Sequence, residues 1–217
     1  MPCNHKFLEY LSLERIHNFN PETLIVGTFN PQWPEENYAE WFYGRTRNNY
    51  FWDILPRMFG DPEMRGLDHL AWKNYCRQRK IAITDLLAWI EDADETSERH
   101  RKTMREYADL GISTKFRTYI PNDIVSAMKD HSTIKAVYLT TTNVSSLWKR
   151  LWQPVSDYCG INRIWCQKLM TPSKGARYNM KKGSGMAMAD FIYNDWIGKW
   201  STGQGTLIHS INEQSHP

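Results

Sequence analysis

Two apolar runs, each ending in small polar turn-forming residues, constrain the fold of this chain more than any other feature. The first occupies residues 24–31 (LIVGTFNP), and the second occupies residues 170–177 (MTPSKGAR) with the apolar residues that precede it. Short apolar runs bounded by turn residues are typical of parallel strands that are buried on both faces. In open α/β sheets, ligands bind at the carboxyl ends of such strands. We therefore expect the loops after both runs to face one crevice.

Apolar runs and helix-compatible segments alternate along the chain, which predicts βαβ units and a mainly parallel sheet. The predicted strands are residues 24–29, 80–87, 134–140 and 163–170. The predicted helices are residues 49–59, 91–110, 122–130, 144–152 and 187–200. The expected fold class is α/β, a three-layer α/β/α domain with a central, mainly parallel four-stranded sheet. We expect this domain to span residues 1–203 and a polar C-terminal tail to span residues 204–217.

Composition agrees with one packed domain. The chain has 217 residues, 41% of them hydrophobic, and ten tryptophans, so it can bury a sizeable core. It has no run of 18 apolar residues and no charged-then-apolar leader. We therefore expect a cytoplasmic monomer that does not bind membranes.

Charge is distributed unevenly. The net charge is only +3, but residues 161–189 contain six basic side chains and no acidic one. This segment predicts a surface that contacts nucleic-acid phosphates, and a solvated basic face is the alternative interpretation. The six basic residues are Arg163, Lys168, Lys174, Arg177, Lys181 and Lys182.

Cysteine and histidine patterns give no sign of a metal or other cofactor. The four cysteines, Cys3, Cys76, Cys159 and Cys166, form no CxxC pair, and the seven histidines form no HExxH pair. We expect no metal and no cofactor.

Three motifs, in the right order, resemble those of the uracil-DNA glycosylase superfamily. The first strand ends in Gly-Thr-Phe-Asn-Pro, and the late loop reads Thr-Pro-Ser-Lys. Between them, residues 42–52 (FYGRTRNNYFW) are similar to the Asn-Arg-Phe-Trp stretch of the mismatch-specific and hypoxanthine-excising branches. The resemblance covers roughly residues 24–196.

This resemblance implies a monofunctional DNA glycosylase with DNA as its partner. Such an enzyme flips a deaminated or mismatched base, uracil or hypoxanthine, out of the helix and hydrolyses its N-glycosidic bond. Two alternatives stay open: a non-catalytic nucleic-acid-binding module with the same fold, and a hydrolase that acts on free nucleotides.

The resemblance offers more than one catalytic asparagine. It implies that the residue before the proline, Asn30, holds the attacking water, although this chain has one extra residue between the glycine and Asn30. The hypoxanthine branch uses an asparagine of the later stretch, which is Asn49 when counted from Trp52 and Asn48 when counted from Gly44. A simple turn at Asn30 and a helix N-cap at Asn48 or Asn49 are the structural alternatives.

Base-binding and DNA-binding residues follow from the same motifs. A flipped base needs an aromatic partner, for which Phe42 is the preferred candidate. The candidate base-binding residues are Thr28, Phe29, Phe42 and Tyr43. The candidate DNA-binding residues are Arg45, Arg47, Pro172, Ser173, Lys174, Gly175 and Arg177. Arg177 or Tyr178 would fill the vacated stack, and Asp85 would either line the pocket or cap a helix.

Overall fold

A four-stranded parallel sheet forms the centre of the computed structural model, which describes residues 1–13, 19–33, 35–142, 145–181 and 185–200. The strands are β1 (Cys3–Asn4), β2 (Thr23–Gly27), β3 (Ile81–Asp85), β4 (Leu87–Ile90), β5 (Tyr119–Pro121), β6 (Ala136–Leu139) and β7 (Trp165–Lys168). The α-helices are α1 (Phe51–Arg57), α2 (His69–Gln78), α3 (Glu98–Glu106), α4 (Asp109–Lys115), α5 (Ile124–Asp130), α6 (Ser146–Ile161) and α7 (Met188–Ile197).

The central sheet has the order β3-β2-β6-β7, and every neighbouring pair is parallel. Thr23 at the start of β2 lies opposite Ile81 of β3 and Ala136 of β6, so the strands begin and end together. The four predicted strands are confirmed, each shorter than the apolar run that indicated it. Apolar residues extend beyond the hydrogen-bonded ladder because the loops at its ends are also buried.

Successive residues of the sheet pack into two separate hydrophobic cores. Leu24 and Val26 face a core shared with α4, α5 and α6, whereas Ile25 faces a core shared with α1, α2 and α7. This alternation is the two-residue period of a strand, with both faces covered by helices. The predicted three-layer α/β/α class is confirmed.

A second, antiparallel sheet of order β1-β4-β5 was not expected from the sequence. The apolar run that predicts one strand over residues 80–87 divides at Leu86, whose backbone N–H donates to the carbonyl of Gly27 at 3.0 Å. The chain then leaves the parallel sheet, and β4 pairs with β1 on one side and β5 on the other. As a result, β1 and the residue after it, His5, lie beside the end of β3.

The predicted helix over residues 91–110 is wrong. The structure has two helices there, because Tyr107 adopts a left-handed conformation (φ 48°) that ends α3. Helix α4 then begins at Asp109 and continues past Gly111, where the predicted helix ended. Met104 of α3 and Ile112 of α4 are both buried, so the break lets each short helix turn an apolar side chain to the core.

Other helix boundaries also differ from those predicted. Helix α2 was not predicted; the Asp68 carboxylate accepts a hydrogen bond from the Ala71 backbone N–H at 2.8 Å and caps it. Helix α6 extends to Ile161, well past the predicted end at residue 152, because Val155 and Cys159 continue its buried face. The predicted tail, residues 204–217, and the predicted domain end at residue 203 lie outside the described residues. None of the described helices is long and apolar enough to cross a membrane.

Candidate functional site

A cleft of about 850 Å³ opens at the carboxyl ends of β2, β3 and β6. The order of the strands reverses at β2, since the chain places β3 on one side of it and β6 on the other. Such a switch point is where open α/β sheets bind ligands. Strand ends supply Gly27, Thr28, Asp85, Thr140 and Thr141 to the lining, and loops supply the rest.

A buried hydrogen bond between His5 and Asp85 lies at the bottom of this cleft. The backbone N–H of Phe7 donates to Nδ1 of His5 at 2.9 Å, which leaves the ring hydrogen on Nε2. Nε2 then donates to Oδ2 of Asp85 at 2.7 Å, and the two side chains are 0% and 7% exposed. Asp85 therefore lines the pocket, as one of its two interpretations predicted. No sequence pattern indicates His5, which lies 80 residues before Asp85.

Gly27 is required where the Asp85 carboxylate meets β2. A Cβ atom at Gly27 would lie 2.1 Å from Oδ1 of Asp85 and 3.0 Å from the hydroxyl oxygen of Tyr43. Only a residue without a side chain lets the carboxylate sit against the strand. The glycine of the strand-end motif thus has a packing role that the motif alone does not reveal.

Tyr43 is held in a left-handed backbone conformation with φ 57°. Its ring stacks on Phe51 at a centroid distance of 3.9 Å, and its hydroxyl forms a hydrogen bond of 2.8 Å with Oγ1 of Thr140. Burial, reinforced by the charge of Asp85, raises the pKa of Tyr43 well above its ordinary value. Tyr43 is therefore a neutral hydroxyl group placed inside the cleft.

The other predicted base-binding residues also line the cleft. Phe42 is 1% exposed, and its ring centroid lies 5.6 Å from that of His5. Phe29 is 9% exposed and packs edge-on against the same histidine at 5.8 Å. The Oγ1 atom of Thr28 donates to Oδ1 of Asp109 at 2.7 Å.

Asn30 lines the cleft, but its amide oxygen is engaged. Nδ2 of the buried Asn37 donates to Oδ1 of Asn30 at 2.6 Å, and the backbone N–H of Lys6 donates to the Asn30 carbonyl at 2.8 Å. These bonds tie the loop after β2 to two neighbouring segments.

Asn49 and Asn48 differ in their positions. Asn49 lines the cleft and is half-buried, whereas Asn48 is exposed and is not among the lining residues. Oδ1 of Asn49 accepts a hydrogen bond from the backbone N–H of Phe51, the first residue of α1, at 2.9 Å. The N-cap residue of α1 is Tyr50, so neither asparagine is the predicted N-cap. The Asn49 contact is an Asx turn just before the helix, and it fixes the direction in which the amide points.

A short antiparallel bridge joins the Asn49 segment to the late loop. Asn49 pairs with Ser173, the Tyr50 N–H donates to the Pro172 carbonyl at 2.6 Å, and the Lys174 N–H donates to the Asn48 carbonyl at 3.1 Å. Two motifs that are more than 120 residues apart in sequence are thereby fixed side by side.

The late loop presents polar and basic groups at the edge of the cleft. Oγ of Ser173 accepts a hydrogen bond from the Gly175 N–H at 3.2 Å at the start of a 3-10 helix, Lys174–Asn179. Lys174 and Arg177 are exposed, and Pro172 is buried. Tyr178 is 81% exposed and also lines the cleft.

The two predicted arginines of the 42–52 segment stack on aromatic rings. Cζ of Arg45 lies 3.3 Å from the ring centroid of Tyr107, and both residues line the cleft. Cζ of Arg47 lies 5.5 Å from the Tyr38 ring, on the exposed surface. Of the two, Arg45 is the one within reach of a molecule in the cleft.

Asp109 is a second carboxylate in the cleft. It follows the break between α3 and α4, and the helix predicted across residues 91–110 concealed it. Thr28 and Thr141 hydrogen-bond to its side chain. Burial raises the pKa of Asp109 to about 6, and the charge of Asp85 adds to this effect. A carboxyl group in a cleft whose pKa is strongly raised by burial is typical of functional sites.

The central sheet and its helices are similar to those of a solved protein. A solution NMR structure of a putative uracil DNA glycosylase from Methanosarcina acetivorans matches with a TM-score of 0.55 and 14% sequence identity, over 84% of this chain and 91% of that chain. The chain has a uracil-DNA glycosylase-like fold. No protein-family model matches it, and no curated protein matches it. Among the described residues, no group of three or more His, Cys, Asp or Glu could hold a metal ion.

The raised pKa of Asp109 predicts how its replacement changes stability with pH. An aspartate in an unfolded chain titrates near pH 4, whereas Asp109 in the folded protein titrates near pH 6. The folded state therefore holds this proton more tightly, and the free energy of unfolding falls as the pH rises from about 4 to about 6. Asp109→Asn removes this loss. We expect the free energy of unfolding of the variant, minus that of the wild type, to increase by about 1–3 kcal/mol between pH 4 and pH 7.5.

Denaturant unfolding of both proteins at several pH values measures this difference. Contributions from carboxylates that do not interact with Asp109 cancel in the subtraction, whereas its interactions with Asp85, Thr28 and Thr141 are part of the measured difference. A difference that stays flat from pH 4 to pH 7.5 contradicts the charge assigned to Asp109.

Proposed function

We propose that the protein is a monofunctional DNA glycosylase that flips a deaminated or mismatched base, uracil or hypoxanthine, into the cleft and hydrolyses its N-glycosidic bond. The observation that carries this proposal is the bridge between Asn49 and Ser173. It fixes an amide, a hydroxyl and an adjacent basic loop at one cleft, opposite the carboxylates of Asp85 and Asp109. The glycosylase-like fold of the chain supports the same reaction class.

The charges in the cleft suit the transition state of this reaction. As the N-glycosidic bond breaks, positive charge develops on the sugar and negative charge on the departing base. A preorganised carboxylate stabilises the cation, and oriented donors stabilise the anion. We assign the first role to Asp85, whose orientation is fixed by His5, and the second to the Nδ2 group of Asn49.

Asn30 has a supporting role in this proposal. Because its Oδ1 atom already accepts a hydrogen bond from Asn37, it holds the loop beside β2 in place. The Nδ2 hydrogens of Asn30 remain available to orient the attacking water or the sugar from the same loop.

The surface around the cleft suits a DNA strand better than a free nucleotide. Lys174 and Arg177 are exposed beside the opening, where phosphates flanking a flipped nucleotide would pass. Arg45 is placed to contact the phosphate of the flipped nucleotide itself. The exposed ring of Tyr178 is placed to fill the gap that the flipped base leaves in the stack. An enzyme for free nucleotides would need neither the outer basic residues nor the exposed ring.

Alanine variants of the three asparagines test the catalytic assignment. A screen of uracil, hypoxanthine, xanthine and thymine mismatches in single- and double-stranded oligonucleotides first identifies a substrate. We expect Asn49→Ala to lower single-turnover base release by about 10²–10³-fold, the scale for losing one preorganised polar group. Asn48→Ala, in the exposed neighbour, is the matched control and keeps nearly the wild-type rate.

The third variant separates catalysis from loop support. We expect Asn30→Ala to cost about 1 kcal/mol of stability, because Asn37 loses an acceptor, with a smaller loss of rate per folded molecule. A normal rate for Asn49→Ala with a large loss for Asn30→Ala transfers the catalytic role to Asn30. If the wild-type protein binds lesion DNA but releases no base, it is a non-catalytic binding module. If it releases a base from free nucleotides but not from DNA, it is a nucleotide hydrolase.

The salt dependence of DNA binding tests the basic loop. Each phosphate contact contributes about 0.9 to the slope of log affinity against log salt concentration. If Lys174 and Arg177 each contact a phosphate, the double variant Lys174→Glu/Arg177→Glu should reduce the slope by about 2. Lys181 is exposed nearby, and Lys182 lies outside the described residues.

A second double reversal serves as the matched control. Lys129 near the end of α5 and Arg163 before β7 lie where the chain enters strands of the sheet, at the edge opposite the cleft. Arg163 belongs to the basic segment 161–189, but its position before β7 separates it from the late loop. Both residues are exposed. Lys129→Glu/Arg163→Glu makes the same change in net charge and should leave most of the slope intact. Equal slopes for the two double variants would remove the late loop from the DNA-binding surface.

A further inference from the structure

The carboxyl group of Asp109 lies between the carboxyl ends of β2 and β6. Oγ1 of Thr28, after β2, donates to its Oδ1 at 2.7 Å, and Thr141, after β6, forms a second side-chain hydrogen bond with it. Both threonines line the cleft. Two hydrogen bonds fix the orientation of the carboxyl group, and an ionised carboxylate has about four acceptor positions. Acceptor positions therefore remain for a molecule in the cleft.

No cation of the described chain neutralises this carboxylate. The groups that shift the pKa of Asp109 are burial, two threonine hydroxyls and Asp85, and no lysine or arginine is among them. Asp109 is half-buried, and withdrawing a charge from water without a partner costs free energy. An unpaired carboxylate at a switch point therefore indicates that the ligand supplies the donor.

Deamination creates such a donor on a base that lacked it, whereas thymine and guanine carry a ring N–H already. Cytosine and adenine carry a bare ring nitrogen, which accepts hydrogen bonds, on the edge that pairs with the other strand. Deamination to uracil or hypoxanthine turns that ring nitrogen into an N–H donor beside a new carbonyl oxygen. A flipped base is read on this edge once it has left the helix.

We propose that Asp109 is the specificity residue of the cleft and accepts a hydrogen bond from the ring N–H of a deaminated base. This inference rests on the proposed glycosylase function and adds the feature of the base that is recognised. The hydroxyls of Tyr43 and Thr140 share one hydrogen bond of 2.8 Å. When Thr140 donates in that bond, the Tyr43 O–H is the donor in the same cleft for a carbonyl oxygen of the base.

Undamaged cytosine and adenine are excluded by the same contact. In the same pose, either base would turn a ring-nitrogen lone pair toward the carboxylate, so two acceptors would face each other. Discrimination between a deaminated base and the cytosine or adenine from which it came then has a repulsive and an attractive part. Thymine and guanine, which carry the same ring N–H, are not distinguished by this contact.

Binding of two non-cleavable probes tests this assignment. The first is a duplex oligonucleotide with one 2′-fluoro-2′-deoxyuridine, in which the fluorine opposes positive charge on the sugar and prevents cleavage. The second carries the same nucleotide with its ring N–H methylated. We expect the wild type to bind the first probe at least about ten-fold more tightly, the scale of one hydrogen bond to a charged group.

Two variants complete the experiment. Asp109→Ala should bring the two affinities within about three-fold of each other, because it removes the acceptor and makes room for the methyl group. Asp157→Ala, which removes an exposed carboxylate from α6, should keep the wild-type ratio. Thermal unfolding checks that both variants are folded.

The outcomes separate this inference from the function on which it rests. If the wild type prefers the unmethylated probe and Asp109→Ala keeps that preference, Asp109 does not bind the ring N–H, and the glycosylase proposal stands. If the wild type binds both probes equally but more tightly than undamaged duplex, ring N–H recognition is wrong. If no probe is preferred over undamaged duplex and no base is released, the glycosylase proposal fails and this inference fails with it.

Discussion

The buried hydrogen bond between His5 and Asp85 is the contact on which the arrangement of the cleft depends. It connects the small antiparallel sheet, which carries His5 after β1, to the end of β3, an edge strand of the central sheet. With Oδ2 held by the histidine, Oδ1 rests against the glycine that ends β2. Tyr43 packs against the same point, and its hydroxyl connects the cleft to the end of β6. The ends of β2, β3 and β6 and the residue after β1 therefore meet around this one contact.

Several energetically unfavourable features lie around the same cleft. Among the described residues, Tyr43 and Tyr107 are two of the five non-glycine residues with positive φ angles, and both line it. Burial opposes the charge of Asp109, whose pKa it raises, and that of Arg45, whose pKa it lowers. The hydrophobic cores on both sides of the sheet supply the stability that offsets these costs. Strain and unpaired charge of this kind persist where binding or catalysis uses them.

Much of the fold could be predicted from the sequence, because the strands of the central sheet are continuous apolar runs. The antiparallel sheet could not, since β1 has two residues and β4 continues directly from the run that contains β3. The break between α3 and α4 depends on the left-handed conformation of Tyr107, and a tyrosine, unlike a glycine, does not indicate such a conformation in the sequence.

The candidate site was predictable only where a local motif carried it. The strand-end loop, the 42–52 segment and the late loop all border the cleft, and the structure distinguishes the lining Asn49 from the exposed Asn48. His5 and Asp109 were not found because their roles depend on contacts with residues about 80 positions away. Tertiary packing alone brings these partners together.

The most direct test of the account is a crystal structure of the protein bound to duplex DNA that contains one 2′-fluoro-2′-deoxyuridine. The account predicts that the uracil lies outside the helix, in the cleft between the ends of β2 and β6, with a neighbouring phosphate beside Ser173 and Lys174. A structure in which the uracil stays stacked in the duplex, or in which the DNA contacts a surface away from the late loop, would contradict it.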